Sequence, residues 1–584
     1  MVGSMGPIAV AAPASHRKQL ALVAAIMGSF VAGLDSTAVN VALPAIRADL
    51  GGGLAGQQWV SNAYLLALGS LILVGGSLGD IFGERRIFSI GVAGFGAVSV
   101  VCAVAPDIGV LIGARALQGA FGALLMPSAL AVIIAAFPRA ERGGAIGSWT
   151  AWSGIATVIG PLAGGYLIDA VSWRLIFAIN VPFVLATLVL VRIGVPARDR
   201  GEVHRSVDWL GAGLTFFGLA GPVLALIRLP DAGWSSPQVW ATGLGGLVLL
   251  VLFVLHEQRT KDPAVPLGLF RRRNFAVGNL QTLAMYGGLG VTFFILVLYL
   301  QEVAGYTALQ AGLATLPTTL VMFTLSKRFG RLADRFGPRI FMGGGPLVAA
   351  AGLFWMATLG AKVDYLTELL PALLLFSLGL SATVAPLTAT VLSDADESNA
   401  GIASGINNAV ARVAGLLAIA AVGAVISASF TKHLDAGLAG LRPPPGAAAA
   451  LAEARRQTLA RADPAVVGHQ AALAVQNASV YAFHVGMLIS ALLVAAGGLL
   501  GLAGIRNPRR EVKCADCAAG QLAGQPRAVA RLSWPGNGRG EASAGVSAAR
   551  LGPSGPDDGR SGDRSPGSDG RESGDGPRSS GAGQ

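Results

Sequence analysis

The sequence predicts an all-α integral membrane protein with fourteen transmembrane helices. Three observations carry that prediction. Hydrophobic residues make up 53% of the 584 and charged residues only 13%, with a mean hydropathy of +0.61, so the chain cannot shield its surface from water and lipid must be its solvent. Apolar stretches of about 20 residues, the length that crosses a hydrocarbon core, recur along most of the chain. Basic residues concentrate in alternate gaps between those stretches, which is how orientation is encoded in membrane proteins. A β-barrel is excluded: aromatic residues reach only 7%, and no ~10-residue alternating segments recur.

In chain order the spans are 20–43, 58–78, 87–106, 109–137, 144–168, 175–195, 209–228, 238–256, 275–300, 308–326, 338–360, 366–391, 401–428 and 480–504. The first is too long for a signal peptide and lacks a small-residue cleavage site. With the N-terminus (Arg17, Lys18) in the cytoplasm, the gaps after spans 2, 4, 6, 8 and 10 are cytoplasmic. They hold Arg85 and Arg86; Arg139 and Arg142; Arg198, Arg200 and Arg205; Arg259, Lys261 and Arg271 to Arg273; then Lys327, Arg328, Arg331, Arg335 and Arg339. The short opposite gaps are poor in positive charge, and the one long outer gap, 429–479, escapes the rule by its length. Both termini are therefore expected in the cytoplasm. Within the long loop, the Ala-rich 447–475 predicts a short amphipathic helix outside the membrane. From about 505 onward the chain turns to Gly, Ser, Pro, Asp and Arg, a composition that predicts a disordered tail.

A net charge of +11 would suit a nucleic-acid binder only if the basic residues clustered on a water-facing surface; here they sit in gaps between spans, and no nucleic-acid partner is expected. Only six lysines occur (Lys18, Lys261, Lys327, Lys362, Lys432 and Lys513), and the Arg, Ala and Gly excess suggests a GC-rich bacterial genome. Cys102 reads as a small core residue, and the Cys514-x-x-Cys517 pair has no second pair to complete a metal site. His256-Glu257-Gln258-Arg259-Thr260 starts like a zinc-hydrolase motif but places Thr260 where the second histidine belongs, and no Gly-Lys dipeptide exists to build a phosphate-binding loop. Neither an enzyme nor a nucleotide-driven pump is predicted, and no metal or cofactor.

One cytoplasmic motif occurs twice. Gly76-Ser-Leu-Gly-Asp80-Ile-Phe-Gly83-Glu-Arg85-Arg86 follows span 2 and Gly330-Arg-Leu-Ala-Asp334-Arg335-Phe-Gly337-Pro-Arg339 follows span 10, 254 residues later, as two structural repeats of one transporter would. Glycine lets helices approach closely, the aspartate is expected to cap a helix N-terminus, and the arginines keep the turn in the cytoplasm. On these residues the sequence resembles the major facilitator superfamily, and more narrowly its fourteen-span drug:proton antiporter branch (EmrB/QacA type). Leu34-Asp35 through Pro44, Arg115-Ala-Leu-Gln118-Gly119, Gly160-Pro161-Leu-Ala-Gly164-Gly165, Trp173 through Pro182, and Ala400 through Asn408 add to the likeness. It departs at Ile81, Glu84 and Ala156, where the family patterns have a basic residue, the opposite charge and glycine. The resemblance implies a cytoplasmic segment 1–19, a six-helix bundle over 20–195, a linker with two extra helices over 196–258, a second six-helix bundle over 259–504, and a cytoplasmic tail over 505–584.

Asp35 lies well inside span 1, where an ionised carboxylate costs about 2.5–3.5 kcal/mol on insertion scales. Desolvation disfavours the charged form of a carboxylate, so such a group can couple proton movement to a conformational change; alternatively it hydrogen-bonds a neighbouring helix or meets outer water. Arg115 either snorkels to the headgroups or faces Asp35 together with Gln118. The resemblance favours coupling roles for Asp35 and Arg115. Gly76, Asp80, Gly83, Arg85, Asp334 and Gly337 are implied as conformational-switch residues of the repeated loops. Gly160, Pro161, Gly164 and Gly165 pack span 5 and, by the antiporter pattern they match, also let it reseat between states. Asn62, Tyr64, Gln118, Gln281, Tyr286, Asn407, Asn408 and Arg412 are implied as cavity residues, though each equally satisfies an interhelical hydrogen bond. The expected function is proton-driven efflux of amphipathic drugs or antibiotics across a bacterial cell membrane, with protons, a small amphipathic substrate and the lipid bilayer as partners and no nucleotide. The alternative is a proton-coupled carrier, exporter or importer, for another small metabolite.

Overall fold

The computed structural model describes residues 14–195, 207–260, 263, 265–393 and 400–507, and among these every regular element is helical. The helices are α1 (Ala14–Leu50), α2 (Gly53–Phe82), α3 (Glu84–Ala103), α4 (Ile108–Ala136), α5 (Arg139–Ala170), α6 (Leu175–Ala178), α7 (Asn180–Gly194), α8 (Trp209–Ala232), α9 (Pro237–Arg259), α10 (Arg273–Glu302), α11 (Ala308–Phe336), α12 (Pro338–Met356), α13 (Leu370–Ser393), α14 (Ala400–Leu438), α15 (Ala447–Gln457), α16 (Pro464–Val467) and α17 (His469–Gly504). Among the described residues twelve spans are long and apolar enough to cross a membrane, α6 and α7 together making one of them. The expected count of fourteen also requires α2 and α5, which run 30 and 32 residues. The linker 196–206 and everything from 508 on, Cys514 and Cys517 included, lie outside the described residues.

Hydropathy located the lipid-facing stretch of each helix and missed its wetter ends. α1 begins six residues before the expected span and ends seven after it. α17 starts at His469 rather than 480, so the C-terminal part of the expected 447–475 helix belongs to a span, and α15 is only 11 residues long.

Small residues explain how so many helices pack. A Cβ on Gly75 would lie 2.0 Å from the Ala123 carbonyl oxygen, and one on Gly119 2.3 Å from that of Tyr64, so α2 and α4 touch backbone to backbone. Gly352 and Gly379 do the same between α12 and α13. The helices before residue 196 form one half, with Phe88, Val92, Phe95, Leu125 and Val132 at its core. The other half gathers on α10, where Phe294 to Leu300 are all buried. α8 and α9 pack on each other, and α8 leans on α2 and α14.

The repeated motif has a shared conformation. Gly83 (φ 89°, ψ 135°) ends α2 and Gly337 (φ 89°, ψ 147°) ends α11, a backbone region essentially reserved for glycine. Asp334 does not act as expected. The N-caps of α3 and α12 are Gly83 and Gly337 with no side-chain cap bond, and Asp334 is exposed two residues before the end of α11. A side chain one turn upstream on the preceding helix cannot reach the next helix's free amides once glycine has reversed the chain. Arg85 donates to the Arg192 carbonyl and Arg339 to that of Leu502, so each turn is tied to the last helix of its own half. Gly76 faces Pro127 of α4 with room to spare, and the Asp80 side chain lies outside the described residues.

Contacts between the halves cluster at the opposite end. Arg47 of α1 pairs with Glu302 of α10 at 2.7 Å, Gln301 donates to the Val41 carbonyl, and Asp169 of α5 accepts from the first amides of α11, Ala308 and Leu309. At the Gly83/Gly337 end, Lys18–Glu141 and Arg273–Gly504 are bonds within a half.

Candidate coupling site

Asp35 sits midway along α1 with no exposed surface. α1 is clamped there against α5, because a Cβ on Gly160 would fall 2.0 Å from Thr37 Oγ1 and one on Gly164 3.0 Å from Ala38 Cβ. Ala156, where the family pattern has glycine, is matched by Gly33 on the facing helix, 3.1 Å from a would-be Cβ.

α4 brings Arg115 and Gln118, three residues apart and so on one face. Arg115 Nη1 donates to Asp35 Oδ2 at 2.5 Å and to Gln118 Oε1 at 2.6 Å, while its Nε donates to the Val60 carbonyl at 3.2 Å. The guanidinium lies 4.4 Å above the Tyr64 ring and 5.8 Å from that of Phe177. Asp35 Oδ1 accepts from Gln118 Nε2 (3.0 Å) and Asn180 Nδ2 (3.1 Å). Both amides also donate to Ser99 Oγ, at 2.9 and 3.3 Å, and the Ser99 hydroxyl donates to the Phe95 carbonyl at 2.8 Å. Arg115, Gln118, Asn180 and Ser99 are all buried.

The chemistry follows from the count of charges: one carboxylate, one guanidinium and neutral dipoles, all out of water. Such a pair is stable while intact and costly to break, because removing one charge strands the other. Without the Asp35 charge, Arg115 would keep its carbonyl, amide and ring partners but have no counter-charge.

The other expected residues are placed as follows. Tyr64 is in the site as the platform under Arg115. Asn62 is fully buried with neither side-chain atom bonded among the described residues. Asn407 donates to Asn279 Oδ1 (3.2 Å) and Thr282 Oγ1 (2.9 Å), joining α14 to α10. Gln281 donates to the Met342 carbonyl at 2.5 Å, an interhelical tie to α12. Tyr286 and Arg412 are half-buried and Asn408 is exposed; none of these joins the Asp35 cluster. Gly165 and Pro161 meet α11 at Leu309 and Gly312, so the glycine motif serves both the Asp35 clamp and the closed end. Asn180 and Ser99 were not singled out from sequence. The available signal was an amide in the middle of the run Trp173 to Pro182, at the start of an apolar helix. Among the described residues no group of three or more His, Cys, Asp or Glu side chains is placed to hold a metal.

Comparison with known proteins gives the family and agrees with the fold. A family model described as Major Facilitator Superfamily matches residues 25–419. The chain is 36% identical over 426 residues to a puromycin resistance protein of Streptomyces alboniger, covering 72% of this chain and 84% of that one. It is 35% identical over 413 residues to a tetracenomycin C resistance and export protein of Streptomyces glaucescens, covering 70% and 75%. Among solved structures, a bacterial homologue of the human lysosomal transporter Spinster in an inward-facing, unoccupied conformation superposes with a TM-score of 0.58 at 16% identity, covering 83% of this chain and 96% of that one. The D-xylose–proton symporter gives 0.53 at 13% identity, covering 84% and 98%.

Proposed function

The chain belongs to the major facilitator superfamily, and from that premise we propose that it is a proton-driven exporter of amphipathic drugs or antibiotics, with fourteen spans and both termini in the cytoplasm. It is a transporter and not an enzyme. Relatives named for resistance to or export of puromycin, tetracenomycin C and cephamycin support the substrate class. The single observation that carries the coupling reading is the buried Asp35–Arg115 pair with its amide and hydroxyl support.

In this reading the end sealed by Arg47–Glu302 is outer, and the conformation is open to the cytoplasm. Substrate enters from the cytoplasm while Asp35 releases its proton inward and re-forms the pair with Arg115. The halves then rock about the α1–α5–α11 contacts, Asp35 meets outer water, takes up a proton and frees Arg115, and substrate leaves. One charge moving inward gains about 2.3 kcal/mol per 100 mV, enough for a roughly 50-fold substrate gradient. The two bundles (20–195 and 259–504) supply the rocking halves, and α8 and α9 form the accessory pair after the linker.

The test is a panel of amphipathic antibiotics and dyes added to energised everted vesicles, with lumenal pH followed by a fluorescent probe. Export coupled to protons predicts that transported members of the panel release protons from the lumen. Proton uptake into the lumen with substrate would identify an importer, and response only to polar metabolites would move the substrate class.

A further inference from the structure

Arg412 stands within the apolar stretch of α14, a 39-residue helix of the second half, at a depth where a cation without a partner is costly. Small residues bring three helices together there. A Cβ on Gly69 of α2 would lie 3.4 Å from Arg412 Cβ, and one on Gly290 of α10 would lie 2.9 Å from Gly415 Cα. The arginine is half-buried, and Asn408, four residues earlier on the same face, is exposed, so packing does not seal this side of α14. The guanidinium lies within electrostatic reach of two hydroxyls, Tyr64 from the first half and Tyr286 from the second.

All three groups are donors, and all three are idle. Among the described residues neither the guanidinium nor either hydroxyl makes a hydrogen bond, and no carboxylate pairs with Arg412. Asp35 also reaches Tyr64 electrostatically, but its charge is already met by Arg115 at 2.5 Å. Counting Asp35, Arg115 and Arg412 therefore leaves one positive charge uncompensated. Arg115 shows what a satisfied arginine in this membrane core looks like, with a carboxylate, an amide, a carbonyl and a ring around it. Arg412 lacks the first three. Guanidinium and hydroxyl donors converging without an acceptor suit an oxyanion, to which they make the strong, charge-assisted kind of hydrogen bond.

We propose that Arg412, Tyr64 and Tyr286 bind the acidic group of an amphipathic substrate, so that the substrates include organic monoanions whose apolar body lies between the two halves. The proposal deepens the efflux reading and rests on it only for what moves the ligand, because binding is measured at equilibrium. An anionic lipid headgroup offers the same chemistry. It is disfavoured because the donors come from both halves, and α8 packs over α2 and α14 on one side of them.

The experiment titrates the full chain in phosphatidylcholine nanodiscs with 2-naphthylacetate, 2-naphthylethanol and 2-naphthylethylammonium, which share one apolar body, and subtracts empty discs. The wild type should bind the acid about tenfold or more tighter than the alcohol, and the ammonium most weakly. Arg412→Gln should weaken acid binding about tenfold or more and Tyr286→Phe severalfold, with the alcohol unaffected by either. Arg412→Lys should keep most of the affinity, and Asp35→Asn should retain it. Arg412→Gln removes a charge that has no partner, so its thermal unfolding should match the wild type; if it fails to fold, the charge series and Tyr286→Phe carry the test. No acid binding, equal affinity for acid and alcohol, preference for the ammonium, or unchanged acid binding in Arg412→Gln overturns the proposal. Acid binding that disappears in phosphatidylglycerol discs gives the site to a lipid headgroup and also overturns it. Everted vesicles separate the two readings. Proton release with other substrates but no acid binding leaves the efflux reading standing and sinks this one, whereas acid binding without accumulation of any substrate sinks the efflux reading and leaves the anion site.

Discussion

Removing Arg115 while keeping Asp35 is the most informative perturbation of the buried pair. In Arg115→Leu the Asp35 carboxylate keeps its two amide donors, Gln118 and Asn180, but loses the 2.5 Å charge partner. Stranding one member of a fully buried pair costs about 3–5 kcal/mol. Asp35→Asn is milder, because the Arg115 guanidinium retains the Val60 carbonyl, Gln118 Oε1 and the Tyr64 ring. The double variant Asp35→Asn/Arg115→Leu carries no buried charge at that point and is predicted to be more stable than Arg115→Leu alone, with a coupling energy of about 2–3 kcal/mol. Thermal unfolding of the four purified proteins in one detergent, followed by size-exclusion recovery after heating, measures the cycle. Additive effects of the two single substitutions would refute the reasoning, since they would mean that the two charges do not depend on each other.

Three further outcomes are expected. Gly165→Ala places a Cβ 2.6 Å from Leu309 Cα, so it should push α5 from α11 and lower the yield of an Arg47→Cys/Glu302→Cys cross-link, whereas Gly147→Ala, with nothing within 4 Å, should leave it unchanged. Ala450→Cys should react with a membrane-impermeant thiol reagent from outside and Val203→Cys only from inside; the same side for both would contradict the fourteen-span topology. Truncation after Arg510 should leave insertion and transport near wild type, because the sequence beyond it, rich in Gly, Ser, Pro, Asp and Arg, holds no apolar stretch long enough to be a span, and loss of transport with normal expression would assign the tail a role.

Much of the site was legible because membrane burial makes charge conspicuous. Asp35 and Arg115 are each a charged residue well inside an apolar run, and the cost of such a placement implies a partner. Their meeting was not readable from spacing, since they lie 80 residues apart on different helices. Ser99 was hidden for a different reason. A serine in a transmembrane helix usually satisfies itself on the carbonyl four residues back, and Ser99 does so, so nothing in sequence marks its two further contacts. Gln281 shows the converse: an amide in a span that looks like a cavity residue and is committed to the backbone of α12. The two turn glycines were legible as a repeat, and the backbone supplies the cause in their matched positive φ. The expected capping role failed at Asp334, where the chain turns at Gly337 itself.

The central claim is that Asp35 carries the coupled proton. In energised everted vesicles, a transported substrate should release lumenal protons through the wild type. Asp35→Asn should abolish that release and accumulation against a gradient, with some equilibrium substrate binding retained. Proton release and substrate accumulation at wild-type rates in Asp35→Asn, for every substrate tested, would contradict the account and place the coupling group elsewhere.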